Sequence, residues 1–237
     1  MQADASKLAQ LYPDCRQDGK TTLRQCQLVM IRMLKILDHV CTSQGISYWM
    51  TAGTLIGALR HRGMIPWDCD IDVAMTSVDY QAFCRVADQL PPDIFFQNPH
   101  TDPPFRCPIM AKLRDRYSNY TEWQSKNRDA RWHNGLQVDI IFYDRNALDQ
   151  LVNPFRQTAY DRSEIFPLER IEFEGALLLA PRDPDRYIRR RYGDYLQLPP
   201  PEKRRPHEGV ADPFTPCSHP ESRPYPHAHA SLSRASP

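Results

Sequence analysis

What this 237-residue sequence lacks narrows its function before any motif is read. It has almost no net charge. Lys and Arg number 30 against 29 Asp and Glu, a formal +1, so no whole-chain field would draw it onto nucleic acid or an anionic membrane. It contains no apolar run near the roughly 20 residues that span a bilayer, so no transmembrane segment is expected. The opening MQADASKLAQLYPD has neither the basic start nor the apolar block of a secretory signal, which sets the expectation of a cytoplasmic protein. The seven cysteines, at 15, 26, 41, 69, 84, 107 and 217, are scattered and odd in number. They form no C-x-x-C pair and no Cys/His cluster at zinc spacing, which argues against a disulfide scaffold or a zinc site. There is no internal repeat and no G-x-x-x-x-G-K-[ST] loop, so a P-loop ATPase is excluded.

What is present is unevenly distributed. Ten of the 22 prolines fall from Pro199 onward, in a segment with few large apolar residues and no period. Such a segment cannot bury enough surface to offset the entropy of ordering it. The expected organisation is a folded domain over 1–200 and a Pro-rich disordered tail over 201–237, whose histidines at 207, 219, 227 and 229 could bind a metal but in a flexible tail are read as incidental. Asn119-Tyr120-Thr121 fits a glycosylation sequon but carries meaning only in a secretory lumen, and is read as chance.

Ahead of the tail, helix and strand signals alternate. A capping box at Thr22-Leu23-Arg24-Gln25 opens a long amphipathic helix, with Cys26, Met30, Leu34, Leu37 and Cys41 at helical spacing and Gly45 as its stop. ISYWM (46–50) reads as a short strand, and Gly53-Thr54 turns into a second helix closed by Gly63. A strand over 70–75 precedes a helix from Thr76 or Ser77 to about Leu90. IFFQ, PIMAKLR and LQVDIIFY are further strands, and IEFEGALLLA is a hairpin turning at Glu174-Gly175. Asp183-Pro184 opens a last helix that Gly193 ends. The fold class is α/β (α+β), one mixed sheet flanked by helices.

The chemistry concentrates in WMTAGTLIGALRHRGMIPWDCDIDVAM, residues 49–75. Side chains alternate along a strand, so Asp70 and Asp72 face one side while Ile71 and Val73 face the core. Neighbouring carboxylates repel, and a divalent cation lets both stay ionised; hard oxygen ligands favour Mg2+ or Mn2+. Asp68, two residues earlier, could share that face. Gly53-Thr54 offers backbone N–H groups and a hydroxyl suited to phosphate. Asp139 lies inside the apolar strand LQVDIIFY, where an unpaired charge costs several kcal/mol, so it calls for a cation, a partner or a proton. Three carboxylates around metal would serve phosphoryl transfer, in which catalysis is positioning plus charge neutralisation.

GTLIGALRHRGMIPWDCDID, AKLRD, NGLQVDIIFYD and RYIRRRYGDYLQLPPPEKR together resemble the LicD/fukutin family of phosphotransferases, in the family's order and over most of residues 20–205. The resemblance implies the nucleotidyltransferase (polymerase-β-like) fold. It also implies metal-dependent transfer of a phosphorylated group, such as phosphocholine or ribitol phosphate, from a CDP-linked donor to a glycan hydroxyl. By position, Gly53 and Thr54 take the phosphate loop, Asp70 and Asp72 the metal pair, and Asp139 the third carboxylate, as metal ligand or as base. Cys69 stands where bacterial members often carry Asp, but on the opposite face of the strand. The zinc-binding cysteines of the animal ribitol-phosphate transferase are not recognisable. Animal relatives act in the Golgi lumen behind an N-terminal anchor, which leaves the Golgi as the alternative location if this N-terminus is truncated.

Arg60 and Lys112 are candidate donor-phosphate ligands, the bland reading of Arg60 being a cation favoured at a helix C-terminus. Trp67 is a stacking surface or a core wedge. Arg189, Arg190 and Arg191 read as a solvated helix face. An EF-hand starting at Asp68 fails, because Val73 and Asp79 stand where Gly and Glu are required. A nucleotide-sugar glycosyltransferase also uses D-x-D with a metal, but leaves Gly53-Thr54 and Asp139 unexplained. A non-catalytic scaffold would have no need of clustered carboxylates.

Overall fold

Thr21 is the last extended residue before a helix, and its hydroxyl accepts the Arg24 N–H at 3.2 Å. The cap therefore lies one residue ahead of the expected box. In the computed structural model, which describes residues 5–107, 110–122, 131–153, 156–207 and 209–226, this helix is preceded by α1 (Ala5–Leu11) and is itself α2 (Thr22–Gln44). It stops at Gly45, which takes the left-handed φ of 67° that a residue with a Cβ resists. Met30, Met33, Leu34, Ile36, Leu37 and Val40 are fully buried, so the helix lies in the core against β2, β4 and β6, defined below.

The chain continues through β1 (Trp49–Met50), α3 (Ala52–His61), β2 (Ile71–Thr76), α4 (Ser77–Cys84), β3 (Ile94–Gln97), β4 (Met110–Asp115), β5 (Asn119–Glu122) and β6 (Gln137–Arg145). There follow β7 (Gln150–Asn153), β8 (Arg156–Asp161), α5 (Arg162–Ile165), β9 (Glu169–Phe173), β10 (Ala176–Ala180), α6 (Pro184–Tyr192) and β11 (Gly209–Asp212). The main sheet runs β1-β2-β6-β4-β3, with β7 and β8 added from β6. Only β2 and β6 are parallel among its described pairs, so the sheet is mixed, as expected. Among the described residues no helix is long and apolar enough to cross a membrane.

Several expected elements are modified. The strand over 46–50 shrinks to Trp49–Met50. The second helix closes on Arg62, itself left-handed at φ 55°, rather than on Gly63. α4 ends at Cys84 because the next amides reach back three residues, Arg85 to Ala82 and Val86 to Phe83, and a 3-10 turn at Ala87–Gln89 leads to Pro91. Pro108 and Ile109, the start of PIMAKLR, lie outside the described residues. The hairpin turns where expected, with Glu174 and Gly175 both left-handed at φ 50° and 73°, the geometry that matches the twist of paired strands. Asp183 caps α6 by accepting the Arg186 N–H, and Gly193 ends it.

The expectation of a disordered tail from 201 is corrected for its described part. β11 pairs antiparallel with β5, from Gly209 opposite Glu122 to Asp212 opposite Asn119. Arg16, fully buried, donates to both carboxylate oxygens of Asp115 and to the Pro213 carbonyl, and its guanidinium lies 4.7 Å from the centre of the buried Tyr225 ring. Backbone pairing and one buried cation anchor this segment, neither of which leaves an apolar period in the sequence. The remainder, 208 and 227–237 with His227 and His229, lies outside the described residues.

Candidate active site

The site forms where α3 meets the start of β2. The Thr51 N–H donates to the Asp72 carbonyl at 3.2 Å, and Ala52 then takes a left-handed φ of 48°, a conformation that costs a non-glycine residue about 1 kcal/mol. This sharp corner sends the chain from β1 straight into α3. Thr54, buried in the first turn, accepts the Asp72 N–H on Oγ1 at 2.7 Å. Its hydroxyl thus pins the acidic strand, and its link to Asp72 is structural. Gly53 is needed for close approach: a Cβ there would stand 2.6 Å from Asp68 Oδ2. The Asp68 carboxylate lies against the first turn of α3, where the helix dipole favours an anion.

Strand register sets the second layer. Asp72 is opposite Asp139 across the parallel β2–β6 pair, Lys112 is opposite Asp139 across β4–β6, and Gln97 is opposite Lys112. Residues directly opposite share a face, so a polar row crosses four strands. The Lys112 ammonium donates to Asp139 Oδ1 at 2.7 Å, and both residues are buried. Of the options open to Asp139, the structure supplies a partner. Lys112, expected on donor phosphate, is engaged with a carboxylate.

The loop before β2 is held from below by the buried Gln27, whose amide donates to the Asp68 carbonyl at 2.9 Å. Asp68 Oδ1 accepts the Cys69 N–H, and Asp68 and Asp70 bring carboxylate oxygens within 4.8 Å of each other. Cys69, just ahead of β2, is buried with its Sγ 3.6 Å from the Tyr120 hydroxyl. His207 Nδ1 stands 3.5 Å from Asp70 Oδ2. Among the described residues, potential ligand atoms of Asp68, Asp70 and His207 lie within 4.8 Å of one another. The expected trio of Asp70, Asp72 and Asp139 is therefore not the tightest donor group: Asp70 belongs to it, Asp72 and Asp139 sit in the adjoining row.

Burial, reinforced by the charges of Asp68 and Asp139, pushes the Asp70 carboxyl up to about 7. Asp68 is raised too, by burial and then by Asp72. Two carboxyls held above their ordinary range beside two more form a cluster of hard oxygen donors. Carboxylate oxygens grouped in this way suit a hard divalent cation.

A cationic rim adjoins the acids. Arg60 and Arg204 place their guanidinium carbons 5.9 and 5.8 Å from the centre of the Trp67 ring. Arg60 also donates to the Tyr195 carbonyl at 2.8 Å. Burial, then the nearby Arg204, lowers its pKa, while Asp68 opposes the shift. Trp67 is partly buried against the core, so it is a wedge whose ring also carries two cations. Arg114 is buried, donating to Gln97 and the Gly135 carbonyl. Arg189 pairs with Asp185 and Asp194, and Arg190 with Glu164. His207 was visible in the sequence only as a tail histidine and Arg204 only as the last residue of a family motif, because neither lies in a stretch with a helix or strand period, whereas Asp68 showed its alternation with Asp70.

The sequence profile of LicD/FKTN/FKRP, nucleotidyltransferase domain, matches residues 45–183. The lipopolysaccharide cholinephosphotransferase LicD of Haemophilus influenzae is 35% identical over 128 residues, 53% of this chain and 45% of that protein. Human ribitol 5-phosphate transferase FKRP is 44% identical over 50 residues, 21% of this chain and 10% of that protein. The chain spans about half the length of the first relative and a smaller share of the second. The lincomycin-bound crystal structure of the lincosamide antibiotic adenylyltransferase LnuA aligns at a TM-score of 0.35 and 13% identity, covering 63% of this chain and 77% of that one.

Proposed function

The chain belongs to the LicD/FKTN/FKRP nucleotidyltransferase-domain family, and from that premise we propose that it is a metal-dependent phosphotransferase. It would move phosphocholine or a phosphorylated alditol from a CDP-linked donor to a glycan hydroxyl. The observation that carries this reading is the convergence of Asp68, Asp70, Asp72 and Asp139 beside the first turn of α3. Asp70 and Asp72, with Asp68 beside them, would hold Mg2+ or Mn2+, which when bound neutralises phosphate charge. The amides at the start of α3, with Arg60 on the rim, would receive the donor's phosphates. Asp139, its countercharge supplied by Lys112, is assigned to accept the proton of the attacking hydroxyl. That oxygen bonds to the phosphorus bearing the head group, the bond from this phosphorus to the bridging oxygen breaks, and CMP leaves with the electron pair.

The test is equilibrium binding of CDP, UDP, GDP and ATP to the full chain, with and without Mn2+, repeated on Asp70→Asn. Metal-dependent preference for CDP that the substitution abolishes is the expected result. Preference for UDP or GDP would favour sugar transfer instead, and binding of none would leave a scaffold.

A further inference from the structure

We infer that residues 203–207, together with β11 (Gly209–Asp212), are part of this active site, with His207 a nitrogen donor to the cation that Asp68 and Asp70 would hold, so that cation binding and seating of these residues are linked. This rests on the cation site proposed above and adds to it a residue, a chain segment and a metal preference.

The segment docks on the acidic motif itself. The His207 N–H donates to Cys69 Sγ at 3.3 Å, and Cys69 is the residue between Asp68 and Asp70. With the backbone held there, the imidazole lies beside the two carboxylates that flank the cysteine. Two residues later β11 begins its pairing with β5, and three residues earlier Arg204 covers Trp67 while its Nε donates to the Pro199 carbonyl. His207 is thus placed by contacts on both sides of it in sequence. Its ring is 66% exposed, so packing does not account for its position 3.5 Å from Asp70. Beneath the segment a cavity of about 180 Å3 is lined by Cys26, Cys69, Tyr120, Pro206 and His207, beside the place where β11 packs on α2. A cation bridging His207 to Asp68 and Asp70 would tighten this seat.

One nitrogen among oxygens also affects metal choice. Mg2+ prefers an all-oxygen octahedron and sheds water reluctantly, whereas imidazole is accepted more readily by transition metals, Mn2+ included. His207 should therefore bias the site toward Mn2+ over Mg2+.

The experiment compares wild type, His207→Ala, His207→Gln and Asp70→Asn by calorimetric titration with Mn2+ and with Mg2+. In parallel, trypsin cleavage after Lys203 and Arg204 is timed with and without Mn2+. Glutamine can still hydrogen-bond Asp70 but is a poor nitrogen ligand, so it separates ligation from mere positioning. The expected result is Mn2+ affinity reduced about tenfold or more in both His207 variants. Mg2+ affinity should change less, and Mn2+ should slow cleavage in wild type alone. If Mn2+ binding is lost in Asp70→Asn but unchanged in the His207 variants, with the same protection, this inference is overturned while the cation site stands. If wild type binds no Mn2+, the cation site and this inference fall together.

Discussion

At Asp139 a charge is kept inside a strand between Val138 and Ile140, both fully buried, and the register that sets Lys112 opposite makes this possible. Lys112→Met would leave that carboxylate buried without its cation, a change expected to cost about 3–5 kcal/mol. The double variant Lys112→Met/Asp139→Asn should recover most of it. Urea unfolding of the two proteins checks this, and a single variant within 1 kcal/mol of wild type, the sort of change expected of an exposed pair, would contradict it. Gly53 poses the opposite case. The atom a new Cβ would meet is the end of the flexible Asp68 side chain, so Gly53→Ala should cost little stability, under about 1 kcal/mol, while displacing a cation donor. Mn2+ titration beside thermal melting distinguishes the two effects: affinity should fall with Tm nearly unchanged, and a collapse of Tm with affinity retained is the contrary outcome. Asp70 and Asp72 were legible from strand alternation, and Asp139 as a charge inside an otherwise apolar strand. The partner of Asp139 was not, since Lys112 meets it only through cross-strand register.

α3 shows how an element's packing overrides its propensity. Replacing glycine by alanine inside a helix ordinarily gains about 1 kcal/mol. At Gly57, however, a Cβ would lie 2.4 Å from the Gly63 carbonyl oxygen and 3.1 Å from the Ile65 nitrogen. Both are backbone atoms of the loop leading to Asp68, so the loop must move. Gly57→Ala is expected to destabilise by more than about 2 kcal/mol net, measured by denaturant midpoint, and a neutral or stabilising result would show the loop to be compliant. Helix ends with local chemistry, such as Gly45, Asp183 and Gly193, could be read in advance. The early stop of α4 and the contraction of β1 could not, because both depend on which neighbours the backbone finds after folding.

For the whole molecule, the C-terminal segment is where composition misled. Its prolines and few large apolar residues describe a chain with no core of its own, yet it completes another element's hydrogen bonds, at β5 and at Arg16. Deleting residues 209–237 should uncover Arg16 and the β5 edge and lower Tm by about 5 °C, the shift that roughly 2 kcal/mol produces in a domain of this size. An unchanged Tm would return the segment to the disordered class. The central claim is that four converging carboxylates make this family member a CDP-dependent transferase, and CMP release tests it most directly. CDP-choline, CDP-ribitol and a UDP-sugar would be incubated with Mn2+ and the wild-type chain, beside Asp70→Asn and an EDTA control. The account predicts CMP from a CDP-linked donor, abolished by EDTA and reduced at least a hundredfold in Asp70→Asn, a loss of about 2.7 kcal/mol in transition-state stabilisation. UDP release without CMP release, or CMP release indifferent to both EDTA and the substitution, would contradict it.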